Sequence, residues 1–157
     1  SSGSSFELPA VALAVPPVLN LYIIPFDNSK SDAPLNWLSD AFPEMIKTDL
    51  NNYDNVFLKN ESDLERIMSN RSLLLQQRPG TKNFLVLGKY ERALDKLSVS
   101  IQLIDISSWE EVGLKKIRGD YNDVSSTNKS ITEMVSTLLK PYLPKPNESI
   151  YLSLKHN

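Results

Sequence analysis

The chain has 157 residues, 41% of them hydrophobic and 23% charged, a composition ordinary for one globular domain that buries about 70% of its unfolded surface. A formal net charge of −2 removes the electrostatic case for nucleic acid, and the absence of cysteine removes disulfides, thiolate metal sites and cysteine nucleophiles. No run reaches the roughly 20 apolar residues of a membrane-spanning helix.

Ser1 to Ser5 reads as a linker and is set aside from the fold. Residues 1–18 as a whole read as a linker or an extended arm. The apolar stretch Ala10 to Val15 is bounded by Pro9, Pro16 and Pro17 and lacks the basic flank of a signal peptide. An edge strand and a disordered leader fit it equally. A signal peptide or lipid-attachment cysteine would lie upstream of these residues.

Leu19 to Phe26 predicts a strand covered on both faces, because Leu21, Tyr22, Ile23 and Ile24 form a continuous apolar run. After the polar loop from Asp27, the residues Trp37, Leu38, Ala41, Phe42, Met45, Ile46 and Leu50 fall at helical spacing. Pro43 lies inside that pattern. An interior proline removes a backbone hydrogen bond and costs about 3 kcal/mol, so the choice is one kinked helix or a helix beginning at Pro43; the unbroken stripe favours one kinked helix.

Asn55 to Leu58 predicts a short strand. Ser62-Asp63-Leu64-Glu65 then reads as a capping box, opening a helix that buries Leu64, Ile67 and Met68, extends through Leu74 and Leu75, and stops at Arg78-Pro79-Gly80. Asn83 to Tyr90 is a second apolar strand, in which Gly88 allows close backbone approach. Leu97, Val99, Ile101 and Leu103 alternate with Ser98, Ser100 and Gln102, the period of a half-buried strand. The short break over Arg92 to Asp95 suits a hairpin, and a further strand over about Glu111 to Arg118 follows the turn near Ser107-Ser108. Ile131, Met134, Val135, Leu138, Leu139 and Tyr142 mark the last helix, ended by Pro141 and Pro144.

The order β-α-β-α-β-β-β-α predicts an α/β fold over residues 19–144. It is a mixed sheet of about five strands with helices packed on it, the first three strands joined by crossovers and the last three by hairpins. Residues 145–157 read as a C-terminal extension: a proline-containing linker, then Ile150, Leu152 and Leu154 alternating as a short strand.

The chain carries few residues in patterns that chemistry needs. The one histidine, His156, is penultimate, without the fixed partners that catalysis needs. None of the five glycines builds a phosphate loop, and the first strand-to-helix loop contains none. The acidic pairs Asp27 with Asp32, Glu61 with Asp63, Glu110 with Glu111 and Asp120 with Asp123 read as solvated faces and helix caps. As a calcium loop, Asp27 to Asp32 is opposed by Lys30 and lacks a bidentate glutamate. Four Asn-x-Ser triplets, at Asn60, Asn70, Asn128 and Asn147, are expected by chance in a chain this rich in both residues. No catalytic residue, metal ligand or cofactor site is expected, and the domain reads as no enzyme; a third, enzymatic reading survives only as a carboxylate hydrolase, which no spacing selects.

The ordered signature Ile23-Ile24-Pro25-Phe26-Asp27-Asn28, Trp37-Leu38-Ser39-Asp40 and Lys47-Thr48-Asp49-Leu50 resembles the amino-terminal domain of TolB and its relatives. Glu61-Ser62-Asp63-Leu64, Leu87-Gly88-Lys89-Tyr90 and Val99 to Asp105 continue the resemblance, which extends over about residues 19–143. The departures are Ala41 in place of a glycine, Ser107-Ser108 in place of Thr-Gly, and Pro43. The family is similar to curli-secretion lipoproteins, flagellar outer-membrane accessory proteins and lipoprotein activators of peptidoglycan synthases. The resemblance implies a non-catalytic adaptor or scaffold of the bacterial envelope, periplasmic or outer-membrane associated, that binds other envelope proteins and neither nucleic acid nor a cofactor.

A polar loop beside an aromatic residue is a plausible contact surface, which makes Asp27, Asn28, Ser29 and Trp37 the candidate partner-binding residues. For Trp37 the competing expectation is stronger: it continues the helical stripe and is read as core. A regulatory small-ligand sensor domain of a larger envelope protein is the alternative function, motivated by the crevice expected where an α/β sheet reverses its strand order.

Overall fold

A computed structural model describes residues 16–144. The linker expected at Ser1 to Ser5, most of the N-terminal arm, the C-terminal strand and His156 lie outside the described residues.

Six strands and three α-helices follow one another as β1 (Leu19–Ile23), β2 (Asp27–Asn28), α1 (Leu38–Leu50), β3 (Val56–Lys59), α2 (Glu61–Ser69), β4 (Lys82–Ala93), β5 (Lys96–Asp105), β6 (Glu110–Asp120) and α3 (Val124–Leu139). The main path of the sheet is β3-β1-β4-β5-β6, with β2 pairing β4 beyond the end of β1. β1 runs parallel to both β3 and β4, whereas β4, β5 and β6 are antiparallel, so the sheet is mixed as the element order predicts.

Period-two alternation sorts the side chains onto two faces. Leu19, Leu21, Ile23, Phe84, Val86, Leu97, Val99, Ile101 and Leu103 join Leu38, Phe42, Ile46 and Leu50 of α1 and Ile131, Val135 and Leu139 of α3 in the main core. On the opposite face Tyr22, Leu85, Ile104 and Ile106 pack with Ile67 and the flanking Leu64, Leu73 and Leu74. That second cover is short. It reaches across β1 and the start of β4 and leaves the far ends of β4, β5 and β6 uncovered.

Three expectations are corrected. The first strand does not run unbroken to Phe26; it ends at Ile23 and resumes as the two-residue β2. Pro25 has no N–H for the ladder, and the Phe26 N–H turns instead to the Ser39 carbonyl, at 2.9 Å. The capping box lies two residues earlier than read: Asn60 Oδ1 accepts from the Asp63 N–H at 2.9 Å, and Asp63 Oδ2 accepts from the Asn60 N–H at 3.0 Å. Finally, α2 does not extend through Leu75. The chain leaves helical geometry at Asn70 (φ −141°) and continues as a 3-10 segment over Arg71–Gln76. Its tighter winding packs Leu73 and Leu74 inward and leaves Leu75 in solvent, while Met68 also faces out.

Pro43 sits inside α1, which is a single helix, as the stripe predicts. The ends of the domain are drawn together by Asn55, whose Nδ2 donates to the carbonyls of Pro17 (2.9 Å) and Tyr142 (3.0 Å).

Candidate functional site

The loop between β2 and α1 is built from the inside outward. Phe26 is buried, with its ring against the space that a Cβ on Gly88 would occupy. This is the close approach for which the strand carries glycine. Phe42 lies between Phe26 (ring centroids 5.7 Å apart) and Tyr90 (5.6 Å, edge to face). The Tyr90 hydroxyl donates to the Leu35 carbonyl at 2.7 Å, tying a 3-10 turn at Ala33–Leu35 to the core. Burial pushes the Tyr90 phenol up; the Ser39 backbone amide pulls it down, and the nearby Asp27 and Asp40 add to the rise.

The predicted site residues divide here. Asn28 is a tie inside the loop: its Nδ2 donates to the Asp32 carbonyl and to Asn36 Oδ1, both at 2.8 Å, and its Oδ1 accepts from the Asp32 N–H at 3.3 Å. Asp27 and Ser29 are exposed on the rim of the uncovered sheet face, and the Ser29 N–H donates to the Tyr90 carbonyl at 3.0 Å. Trp37 is not core but 56% exposed, which corrects the stripe reading. Successive helical residues are about 100° apart, which sets the buried line Leu38, Phe42, Ile46 and Leu50 about 100° or more around the helix from Trp37. Leu35 fills the core at that end instead.

The uncovered face forms a groove that the sequence did not single out. Residues paired across strands place Lys89, Ser100 and Lys116 in one row, with Glu91, Ser98 and Arg118 in the next. A recess of about 520 Å³ runs over both rows. A second, of about 380 Å³, shares Lys89, Ser100 and Lys116 with it and continues over Leu87, Gln102, Glu111 and Leu114 to Asp27. Lys30 Nζ lies 3.7 Å from Glu91 Oε2 at the rim. The polar alternation Ser98, Ser100, Gln102 was the available signal; the proximity of Lys89 depends on strand register.

Among the described residues no group of three or more His, Cys, Asp or Glu could hold a metal ion, and no helix is long and apolar enough to cross a membrane. No family model matches the sequence, and no curated protein does. Solved structures similar in fold include TolB from Acinetobacter baumannii, at 16% identity and a TM-score of 0.47; the match covers 80% of this chain and 28% of that one. A PelC dodecamer from Paraburkholderia phytofirmans is similar at 16% identity over 79% of this chain and 93% of its own, with a TM-score of 0.49. A lipoprotein from Neisseria meningitidis is similar at 15% identity over 78% and 99%, with a TM-score of 0.39. The chain thus spans little more than a quarter of the TolB molecule.

Proposed function

We propose that this chain is a non-catalytic protein-binding domain of a bacterial cell-envelope assembly, an adaptor that docks a partner protein through Trp37 and the Asp27 to Asn36 loop. The observation that carries this reading is a large aromatic side chain, 56% exposed, at the end of a loop held by Asn28, Tyr90 and Ser39. An aromatic on a rigid support loses little freedom on binding, which is the usual make-up of an interface anchor. The envelope setting rests on the ordered signature from Ile23 to Leu50 that resembles TolB amino-terminal domains.

The test is site-specific photo-crosslinking in intact cells of the source organism. A photoreactive residue at Trp37 is expected to give one dominant adduct with an envelope protein, and the same residue at Leu75, exposed on the opposite face of the sheet, none. Equal labelling from both positions, or none from either, removes the docking role. The alternative, a small-ligand sensor, is favoured by a different observation, the groove on the uncovered sheet face.

A further inference from the structure

We propose that the groove over β4, β5 and β6 binds a small, soluble phosphate ester with a hydroxylated organic part, its phosphate held by Lys89, Ser100, Lys116 and Arg118. This site goes beyond the docking role of Trp37 and does not depend on it.

Three cations, Lys89, Lys116 and Arg118, line the larger recess, and none forms an ion pair among the described residues. The register sets the hydroxyl of Ser100 between the two lysine positions and Ser98 beside Arg118, and neither hydroxyl has another hydrogen-bond partner among the described residues. Neighbouring strands lie about 4.8 Å apart, so the two lysine backbones are roughly two strand spacings apart and their flexible side chains can converge above Ser100. Glu91, the one acid in this recess, has Lys30 beside it. Unpaired ammonium, guanidinium and hydroxyl donors on one face are the chemistry that takes up a phosphate, with charge-assisted hydrogen bonds from the cations.

The other end differs. Leu87 and Leu114 offer an apolar floor, and Glu111 is held by a 2.9 Å hydrogen bond from Gln102 Nε2. With Asp27 at the rim, these carboxylates can accept from hydroxyl groups on the ligand. The recesses share Lys89, Ser100 and Lys116, so one molecule can reach both ends, and their volumes lie in the range of small-molecule sites, roughly 300–1,000 Å³. A phospholipid surface fits poorly. Arg118 stands at one end of the groove and Asp27 and Glu111 at the other, so a flat anionic bilayer spanning both ends meets acids that a single phosphate at the cation end does not.

The experiment is a titration of the isotope-labelled domain followed by amide resonances, with glucose 1-phosphate as the probe and glucose, inorganic phosphate and phosphatidylglycerol vesicles as separate arms. Glucose 1-phosphate is expected to shift the Lys89, Ser98, Ser100 and Lys116 amides saturably, inorganic phosphate to shift the same amides more weakly, and glucose alone to leave them unmoved. The double variant Lys116→Gln with Arg118→Gln should keep its dispersed spectrum and bind at least about tenfold more weakly, a change of about 1.4 kcal/mol. Lys129→Gln, on α3 away from the groove, should bind as the parent does. No saturation by about 10 mM, where even a weak site would fill, overturns the proposal, as does equal binding by the double variant. Inorganic phosphate as strong as the ester removes the role of the organic part, and a response to vesicles alone replaces the soluble ligand with a membrane.

Discussion

Phe26 and Ser39 hold each other in both directions: the Phe26 N–H donates to the Ser39 carbonyl at 2.9 Å, and Ser39 Oγ donates back to the Phe26 carbonyl at 2.5 Å. Pro43 lies four residues after Ser39 and has no N–H, so the Ser39 carbonyl is the helical acceptor that Pro43 leaves free. The proline thereby opens a docking point in α1 for the segment that leaves β1, and the signature residues Pro25, Phe26 and Ser39 act with Pro43 as one joint.

This joint makes a counter-intuitive prediction. Replacing an interior helical proline should stabilise a helix by about 3 kcal/mol, yet Pro43→Ala is expected to change stability by less than about 1 kcal/mol, because the acceptor is already occupied and Pro43 is itself buried. Ser39→Ala, which removes a donor from the Phe26 carbonyl, should cost about 1 kcal/mol. Urea unfolding of both variants measures this; a gain near the full proline penalty would mean that the Phe26 bond contributes nothing.

Gly88→Ala tests the other side of the same residue. The added Cβ would overlap the Phe26 ring, which should cost about 1–3 kcal/mol. Shortening the ring by Phe26→Leu should relieve most of the added cost, so a double-mutant cycle is expected to show coupling of at least about 0.5 kcal/mol. Additive losses would place the clash elsewhere.

How much of this could be read beforehand depends on the range of the cause. Alternation at Leu97, Val99, Ile101 and Leu103 and the helical stripe through Ile131, Met134, Val135 and Leu139 are local, and both elements lie where the pattern puts them. Gly88 was also legible as a close approach, though not its occupant. The break of the first strand was not, since it needs the Phe26 N–H to prefer a carbonyl of a later helix. Trp37 was misplaced because stripe counting ignores which side of the helix start faces the sheet. The groove stayed hidden for a similar reason: Lys89 meets Ser100 and Lys116 only through the register of three strands.

Stability should fall in alkali, and Tyr90 should carry part of the fall. Burial raises its phenol above the ordinary value, so between that value, about 10, and the folded one the unfolded chain releases a proton that the folded chain keeps. The Tyr90 contribution to stability is therefore level below about pH 10 and declines as pH rises above it. Tyr90→Phe should lose about 1 kcal/mol at neutral pH, the worth of the bond to the Leu35 carbonyl, and decline less steeply above pH 10. The remaining slope belongs in part to Tyr22, which burial and then Asp63 also raise, against the pull of Arg66. Urea midpoints between pH 7 and 11 decide it; an identical slope in the variant would clear Tyr90 of the effect.

Asn28 and Asp27 are adjacent but should respond differently. Asn28→Ala removes both amide donations and the acceptor for Asp32, and should cost about 1–2 kcal/mol while speeding hydrogen exchange at the Asp32 amide. Asp27→Ala changes an exposed side chain and should stay within about 0.5 kcal/mol of the parent. Equal effects of the two on exchange would deny Asn28 its part in holding the loop.

Trp37 is the cleaner probe of partner docking for that reason. It is 56% exposed and lies outside the buried line of α1, so Trp37→Ala should leave stability within about 0.5 kcal/mol. If it anchors a partner, the same substitution should weaken that complex by about 2 kcal/mol, roughly thirtyfold. Asn28→Ala should weaken it less and chiefly through a slower association, because the loop must then be ordered on binding. Measuring unfolding and partner affinity on the same preparations separates the two roles. A Trp37→Ala domain that is as stable as the parent and binds its crosslinked partner equally well would take the contact surface away from this loop altogether.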